Sequence, residues 1–220
     1  MDWNKDGKKD LISGDTKGQV WVFLNTGTDE APKLAEGVRV EADGKPIVAA
    51  QYAKGNSASS AKSLMGTYSK LHYGDWNGDG LKDLLIGQDR SSQSEVVFYK
   101  NTGTQSNPKF AKPELLELPG PKMSRPSPYV VDWDRDGKQD LLFGTERAEV
   151  YFFRNTGTNE NPKLEKGKLL DLSGGDFGKG IRCRIDVTDW NADGKLDLLV
   201  GNFYSYKKPM GGNIWLFLGK

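Results

Sequence analysis

Oxygen-bearing side chains recur in four nonapeptides that share one pattern: Asp or Asn at positions 1, 3 and 5, Gly at position 6 and Asp at position 9. The copies begin at Asp2, Asp75, Asp132 and Asp189. Alternate residues of a tight loop can surround a hard cation, and calcium takes six to eight oxygens at about 2.3–2.6 Å. The carbonyl of position 7 can supply a further oxygen, so the pattern predicts one Ca²⁺ per copy and up to four in the chain. The predicted ligands are Asp2, Asn4, Asp6, Lys8, Asp10, Asp75, Asn77, Asp79, Leu81, Asp83, Asp132, Asp134, Asp136, Lys138, Asp140, Asp189, Asn191, Asp193, Lys195 and Asp197.

The loops differ from the calcium site of helix–loop–helix proteins. That site needs Glu at position 12, and none of the four copies has one. Each loop instead continues into a short apolar run that ends at a glycine: Gly14, Gly87, Gly144 or Gly201. Such runs are typical of buried strands and too short for helices. We therefore expect each cation in a β-hairpin.

Two further landmarks follow the first three loops. An apolar strand leads into Asn-Thr-Gly-Thr at 25–28, 101–104 and 155–158, and a Pro-Lys step begins seven residues after each Asn. We interpret Asn-Thr-Gly as a turn, since Asn and Gly tolerate a left-handed backbone. Four antiparallel strands per repeat predict an all-β fold, a β-propeller built from four-stranded blades. The repeat boundaries are approximately 1–66, 67–123, 124–180 and 181–220.

These landmarks resemble the FG-GAP/VCBS repeats of integrin α-subunits and of many secreted bacterial proteins. The resemblance covers almost the whole chain. It implies a propeller, usually of seven or eight blades, with calcium between the first two strands of a blade. About three and a half to four blades are present, and we expect residues 1–220 to be one partial domain of a larger ring. Open blade edges would then favour self-association.

One Trp per repeat occupies loop position 2: Trp3, Trp76, Trp133 and Trp190. This regular recurrence predicts packing between blades rather than stacking on a ligand. Cys183 is the only cysteine, which excludes an internal disulfide and predicts a buried thiol.

The formal charge of +1 understates how basic the metal-loaded protein would be, because four Ca²⁺ would add eight positive charges. Neither a signal peptide nor an apolar run of membrane-spanning length is visible. Loops of this type suit the millimolar calcium outside cells. We therefore expect an extracellular or cell-surface location, with an export signal outside this sequence, and neither nucleic-acid binding nor a membrane span.

The irregular insertions fall on the blade face opposite the calcium loops, where ligands are commonly bound. Cations and aromatic rings on that face fit an acidic polysaccharide, although a cell-surface protein is also compatible. The candidate ligand-binding residues are Tyr52, Lys122, Arg125, Arg182, Tyr204, Tyr206, Lys207 and Lys208.

Three functions remain open from sequence. The first is a calcium-stabilised binding or adhesion module, for which an acidic polysaccharide would make it carbohydrate-binding. The second is a polysaccharide lyase acting on uronate-containing polymers, for which His72, Tyr68 and Lys70 are the candidate catalytic residues. The third is a purely structural repeat of a large surface protein.

Overall fold

The computed structural model describes residues 1–48, 69–90, 93–172, 177–204 and 208–219, with the side chains of residues 89, 90, 93 and 94 left out. Over these residues the regular structure consists of β-strands and one 3-10 turn at Phe177–Lys179. Among the described residues, no helix has the length and apolar character needed to cross a bilayer. The all-β prediction is confirmed.

The strands of the first two repeats form three antiparallel sheets. Their orders are β1-β2-β3, β4-β5 and β6-β7-β8-β9 in the following numbering. The strands are β1 (Leu11–Gly14), β2 (Val20–Phe23), β3 (Val38–Arg39), β4 (Glu41–Ala42), β5 (Lys45–Pro46), β6 (Lys70–Gly74), β7 (Asp83–Arg90), β8 (Gln93–Tyr99) and β9 (Glu114–Leu115).

The strands of the last two repeats form two more sheets, ordered β10-β11-β12-β13 and β14-β15-β16. The first and fourth repeats therefore each form a three-stranded blade, and the second and third repeats each form a four-stranded blade. This order agrees with the repeat pattern. The strands are β10 (Ser127–Val131), β11 (Asp140–Gly144), β12 (Val150–Phe153), β13 (Lys168–Leu169), β14 (Ile181–Thr188), β15 (Asp197–Tyr204) and β16 (Gly211–Phe217).

The chain folds into two compact units. The first comprises Met1–Asp75, Asp79–Ser91 and Glu95–Leu116, and the second comprises Trp76–Gly78, Ser92–Ser94 and Glu117–Lys220. Each unit therefore contains most of two successive repeats.

In the two four-stranded blades the second strand is buried on both faces, which explains its continuous apolar sequence. Every residue of β11 is buried, with Leu141, Leu142 and Phe143 all fully inaccessible. Because successive side chains of a strand point to opposite faces, such a strand needs apolar neighbours on both sides. It pairs antiparallel with β10 and β12, so the loop between β10 and β11 is a hairpin connection, as expected.

The core of the first unit joins the first two repeats. Val20, Leu84, Ile86 and Tyr99 are fully buried in it, and Trp3 packs against its margin. The Trp3 ring lies 4.9 Å from the Tyr73 ring and 6.0 Å from the Phe110 ring, centroid to centroid. Trp3 of the first repeat thus packs on residues of the second, as predicted.

The core of the second unit joins the third and fourth repeats. It contains Leu142, Val150, Cys183 and Val200, with Trp133 packed against it. Burial confirms the prediction for the thiol and raises the pKa of Cys183 to about 11. Trp190 of the fourth repeat departs from its counterparts, because it is 62% exposed.

Candidate metal centre

All four Asp-rich loops share a backbone with two left-handed residues. Position 4 is left-handed even where it is not glycine, and position 6 is glycine in every copy. At Gly137 the φ angle is +85° and a Cβ would meet nothing within 4 Å, so glycine is required there by conformation rather than by space. The φ angles at positions 4 and 6 are 59° and 85° (Lys5, Gly7), 72° and 83° (Gly78, Gly80), 61° and 85° (Arg135, Gly137), and 56° and 82° (Ala192, Gly194).

The carboxylates at positions 1 and 5 of each loop hold this backbone in place. In the third copy, Asp132 accepts the N–H of Asp136 at 3.0 Å and that of Gly137 at 2.9 Å. Asp136 in turn accepts the N–H of Lys138 at 3.0 Å. The same bonds recur in the first and fourth copies, and two of the three are seen in the second. The loop is therefore preorganised by its own side chains.

The carboxylate at position 9 lies at the base of the loop and is buried. Asp140 is fully inaccessible, and it accepts the N–H of Trp133 at 3.1 Å and that of Asn155 at 2.7 Å. Burial raises the pKa of Asp140, while the hydrogen bonds from Asn155 and Trp133 act to lower it. Asp10, Asp83 and Asp197 are also buried. Asp10 and Asp83 accept the N–H of the Asn that begins their turn, and Asp197 accepts that of Gly219 at the equivalent position. Position 9 thus joins the loop to the Asn-Thr-Gly turn.

The Asn-Thr-Gly turn depends on close backbone approach rather than on the left-handed backbone that Asn and Gly tolerate. Neither Asn155 nor Gly157 has a positive φ angle. A Cβ on Gly157 would lie 2.3 Å from the carbonyl oxygen of Asn161, so only glycine fits. The buried Asn155 side chain accepts the N–H groups of Gly157 and Lys163, both at 2.9 Å. That hydrogen-bond pair explains why Asn and the Pro-Lys step keep a constant spacing.

The loop and the turn lie at the same end of each blade, as strand direction predicts. Asn159 accepts the N–H of Gln139 at 2.7 Å, and Asp29 does the same for Lys9 in the first repeat. The two connections of one blade therefore support each other.

A metal ion fits the third loop. One oxygen each of Asp132, Asp134 and Asp136 lies within 4.8 Å of the others, the only such group of three acidic, His or Cys residues in the described part of the chain. Oxygens that share one calcium at about 2.4 Å lie no more than about 5 Å apart. The donors are all hard oxygens, and the Lys138 carbonyl belongs to the same loop. The three carboxylates could hold a divalent cation.

Neighbouring donors and cations favour the charged form of the exposed carboxylates. Desolvation acts to raise the pKa of Asp136, but hydrogen bonds from Lys138 and the charges of Lys138 and Arg154 lower it overall. The backbone N–H of Lys195 has the leading effect at Asp193, whose pKa is also lowered. These side chains are ready to bind a cation without first losing a proton.

Arginines gather at the other end of the last two blades. Arg125 and Arg182, both predicted ligand residues, contact the same carboxylate, Glu146, at 3.2 and 3.3 Å. Both are non-glycine residues with left-handed backbones, φ 51° and 62°. The N–H of Arg182 also donates to the Glu146 carbonyl at 2.7 Å, and the Glu146 N–H donates to the carbonyl of Ser124 at 2.8 Å. Backbone hydrogen bonds thus hold the three segments together.

A pocket of about 370 Å³ adjoins this cluster. The Arg182 guanidinium lies 5.7 Å from the centre of the Phe203 ring, and Arg184 also lines the pocket. Desolvation lowers the pKa of Arg184, and the Glu146 charge opposes that effect. The lining residues are Arg182, Arg184, Gly201, Asn202, Phe203, Gly212, Asn213 and Ile214. Guanidinium groups beside an apolar ring suit an anion that carries a ring of its own.

Glu146, Arg184 and Phe203 were missed from sequence. Arg184 could have been predicted from Arg182, because residues two apart on a strand share a face of the sheet. Among the other candidates, Lys122 and Lys208 are exposed and Tyr204 ends β15. Tyr52, Tyr206 and Lys207 lie outside the described residues.

The candidate lyase residues Lys70 and His72 lie on β6, two residues apart and therefore on one face. Tyr73 points to the opposite face and packs on Trp3, and burial raises its pKa to about 12. Tyr68 lies outside the described residues. The structure therefore places the candidates Lys70 and His72 on one face of β6 and their neighbour Tyr73 on the other.

The repeated hairpin, the Asp-rich loop and the paired turn define a class of all-β repeat proteins. The family model described as FG-GAP-like repeat matches residues 75–143 and 132–200, more than half of the chain. The chain belongs to this family. Over 146 residues it is 29% identical to integrin alpha-4 of Xenopus laevis, an alignment that covers 60% of this chain and 14% of the integrin.

A solved structure of the Tc holotoxin pore of Photorhabdus luminescens aligns with 96% of this chain and 8% of its own, at 18% identity and a TM-score of 0.44. The chain spans only a small part of either relative.

Proposed function

We propose that the chain is a calcium-stabilised extracellular binding module whose ligand is an acidic polysaccharide. Calcium occupies the Asp-rich loops and stabilises the hairpins, and the polysaccharide binds at the opposite end of the blades. The observation that carries the proposal is the convergence of Arg125 and Arg182 on Glu146 beside the Arg184 pocket.

Charge supports an anionic ligand. Two guanidinium groups, of Arg125 and Arg182, contact the Glu146 carboxylate, and the charge of that carboxylate also acts on Arg184. Three positive charges against one negative charge leave this cluster net positive. A uronate carboxylate or a sulfate ester can accept two parallel hydrogen bonds from a guanidinium. The Phe203 ring and the Ile214 side chain offer apolar surface for a sugar ring in the same pocket.

Oxygen chemistry supports calcium at the loops. All predicted ligands are carboxylate, amide or carbonyl oxygens, and each loop concentrates several carboxylates in nine residues. Mutual repulsion among these carboxylates is relieved by a divalent ion, so binding is coupled to folding. The integrin-like sequence and the millimolar calcium outside cells support an extracellular location.

The ligand proposal is tested with the double variant Arg182→Ala/Arg184→Ala. Binding to polygalacturonate at fixed calcium is measured by calorimetry, with a neutral glucan as the negative probe. Loss of two bidentate charge contacts should weaken binding at least tenfold, on the order of 1.4 kcal/mol or more. Binding by the parent protein should also weaken steeply as salt is raised.

The matched control is Lys33→Ala/Lys163→Ala, which removes the same charge from exposed positions at the calcium-loop end. It should bind polygalacturonate within about twofold of the parent. Equal losses in the two double variants would mean that binding depends only on net charge, and the proposed site would be wrong. Equal binding to the neutral glucan would also contradict it.

A further inference from the structure

One position distinguishes the four metal loops. The residue immediately before the Asn of the turn is Leu24 in the first repeat, Lys100 in the second and Arg154 in the third. Leu218 is the equivalent in the fourth, because the following Gly219 donates its N–H to Asp197 as Asn155 does to Asp140. Two repeats therefore carry a cation at this position, and two carry leucine.

In the third repeat the cationic side chain, Arg154, contacts predicted metal ligands. Nε of Arg154 is 2.5 Å from Oδ2 of Asp134, and its Nη2 donates to Oδ2 of Asp136 at 3.2 Å. Lys138 reaches the same Asp136 oxygen at 3.3 Å. Asp134 and Asp136 occupy loop positions 3 and 5, so the guanidinium contacts two of the three clustered carboxylates.

The second repeat repeats this arrangement with lysine. Nζ of Lys100 lies 3.3 Å from Oδ2 of Asp79, the carboxylate at position 5. The N–H of the next residue, Asn101, donates to Asp83 at 2.8 Å and brings the preceding side chain within reach of the loop. Leu24 instead packs against the apolar core of the first unit.

The third loop also has an extra acid to match its cation. Position 3 is Asp134 in this loop and Asn4, Asn77 or Asn191 in the others. A fourth carboxylate would by itself increase both the repulsion within the loop and the attraction for a metal. Nε of Arg154 contacts this additional carboxylate and neutralises it.

We propose that Arg154 and Lys100 are tethered counter-ions that weaken metal binding at the second and third loops and hold those loops folded when calcium is low. The inference rests on calcium being the loop ion, as proposed above. A positive charge about 5 Å from a divalent ion in water-like surroundings lowers its affinity on the order of tenfold. The same charge relieves carboxylate repulsion when the ion is absent.

Arg154→Leu tests the inference, because leucine is the residue that two of the repeats carry. Amide NMR signals of Gly7, Gly80, Gly137 and Gly194 give one calcium-titration midpoint for each loop. The Gly137 midpoint should fall about tenfold in the variant, while the Gly7 and Gly194 midpoints stay unchanged. Thermal unfolding in chelator should begin at a lower temperature than in the parent protein.

Leu24→Arg is the reciprocal variant and should raise the Gly7 midpoint by about the same factor. It also keeps the inference testable if Arg154→Leu does not fold in chelator. Folding of Arg154→Leu that requires calcium would support the counter-ion role. An unchanged or raised Gly137 midpoint in Arg154→Leu, or an unchanged Gly7 midpoint in Leu24→Arg, would overturn it.

The two proposals fail in different ways. If calcium moves none of the four glycine signals, the calcium part of the proposed function is wrong. If the signals respond but the substitutions leave their midpoints in place, only the counter-ion inference is wrong.

Discussion

The two ends of the blades differ in how their residues are held. At the loop end the same hydrogen bonds recur from repeat to repeat, and the buried carboxylates of Asp10, Asp83, Asp140 and Asp197 join each loop to its turn or to the equivalent position. At the arginine end, contacts such as those of Glu146 occur once and join segments far apart in sequence. The loop end is therefore a framework common to the repeats, whereas the contacts of the arginine end are particular to the third and fourth repeats, where we propose the ligand site.

Of the changes considered, calcium removal should have the largest effect on stability, and it should act at the loop end of the blades. A site with free calcium at one hundred times its dissociation constant contributes about 2.7 kcal/mol to stability, so loss of several ions should lower the melting temperature strongly. Hydrogen exchange in chelator should increase first at the loop amides, including those of Gly7 and Gly194. Uniform acceleration at both ends of the blades would contradict the proposed division.

Asp140→Ala should have the next largest effect. The substitution leaves the buried N–H groups of Trp133 and Asn155 without their charged acceptor, which should cost about 3–5 kcal/mol of unfolding free energy. Denaturant unfolding in calcium measures the change. Asp136→Ala is the comparison in the same loop, and it should reduce calcium stoichiometry from about four to about three.

A double substitution at the arginine end is the control for the destabilisation expected of Asp140→Ala. Arg182→Ala/Arg184→Ala should change the unfolding free energy by less than about 1 kcal/mol, because surface ion pairs contribute little. A loss as large as that of Asp140→Ala would mean that the arginines are part of the structural framework. The proposed ligand site would then lose its main support.

The smallest expected difference in stability is between alanine substitutions at two glycines of the loop end, Gly157 and Gly137. Gly157→Ala places a Cβ against the Asn161 carbonyl, and Gly137→Ala meets open space but keeps a left-handed backbone. We expect about 2–3 kcal/mol for the first from steric overlap and about 1 kcal/mol for the second from backbone strain. Thermal unfolding of both variants in calcium shows which substitution destabilises the protein more. A larger loss of stability for Gly137→Ala than for Gly157→Ala would contradict the prediction.

Local spacing made much of the fold predictable. The loops that begin at Asp75 and Asp132 lie in the predicted hairpins, and β11 (Asp140–Gly144) ends at the glycine that closes the predicted apolar run. The Asn-Thr-Gly segment was predicted as a turn, but Gly157 is needed there for close approach to the Asn161 carbonyl and not for a left-handed backbone. The sequence shows only that glycine recurs at this position. Glycine would satisfy either requirement, a left-handed backbone or close approach to a neighbouring carbonyl, so the sequence does not distinguish them.

The site was predictable only in part, for a related reason. Arg125 and Arg182 were identified from their loops, but their common partner Glu146 was not. Arg154 carried no signal of its own, because its importance depends on the distance of its side chain from Asp134 and Asp136. Sequence also did not distinguish the exposed Trp190 from the packed Trp3.

The sequence by itself determined the repeat, its hairpins and the oxygen-rich loops, because these depend on residues close to each other along the chain. Tertiary structure decided which charges meet. Glu146 lies 36 residues from Arg182, and their contact exists only where the sheets of the third and fourth repeats meet. Arg154 lies 18 residues from Asp136, and their contact exists only after the strands of the third repeat pair. Coulomb interactions depend on distance in space, and chain order alone does not set that distance.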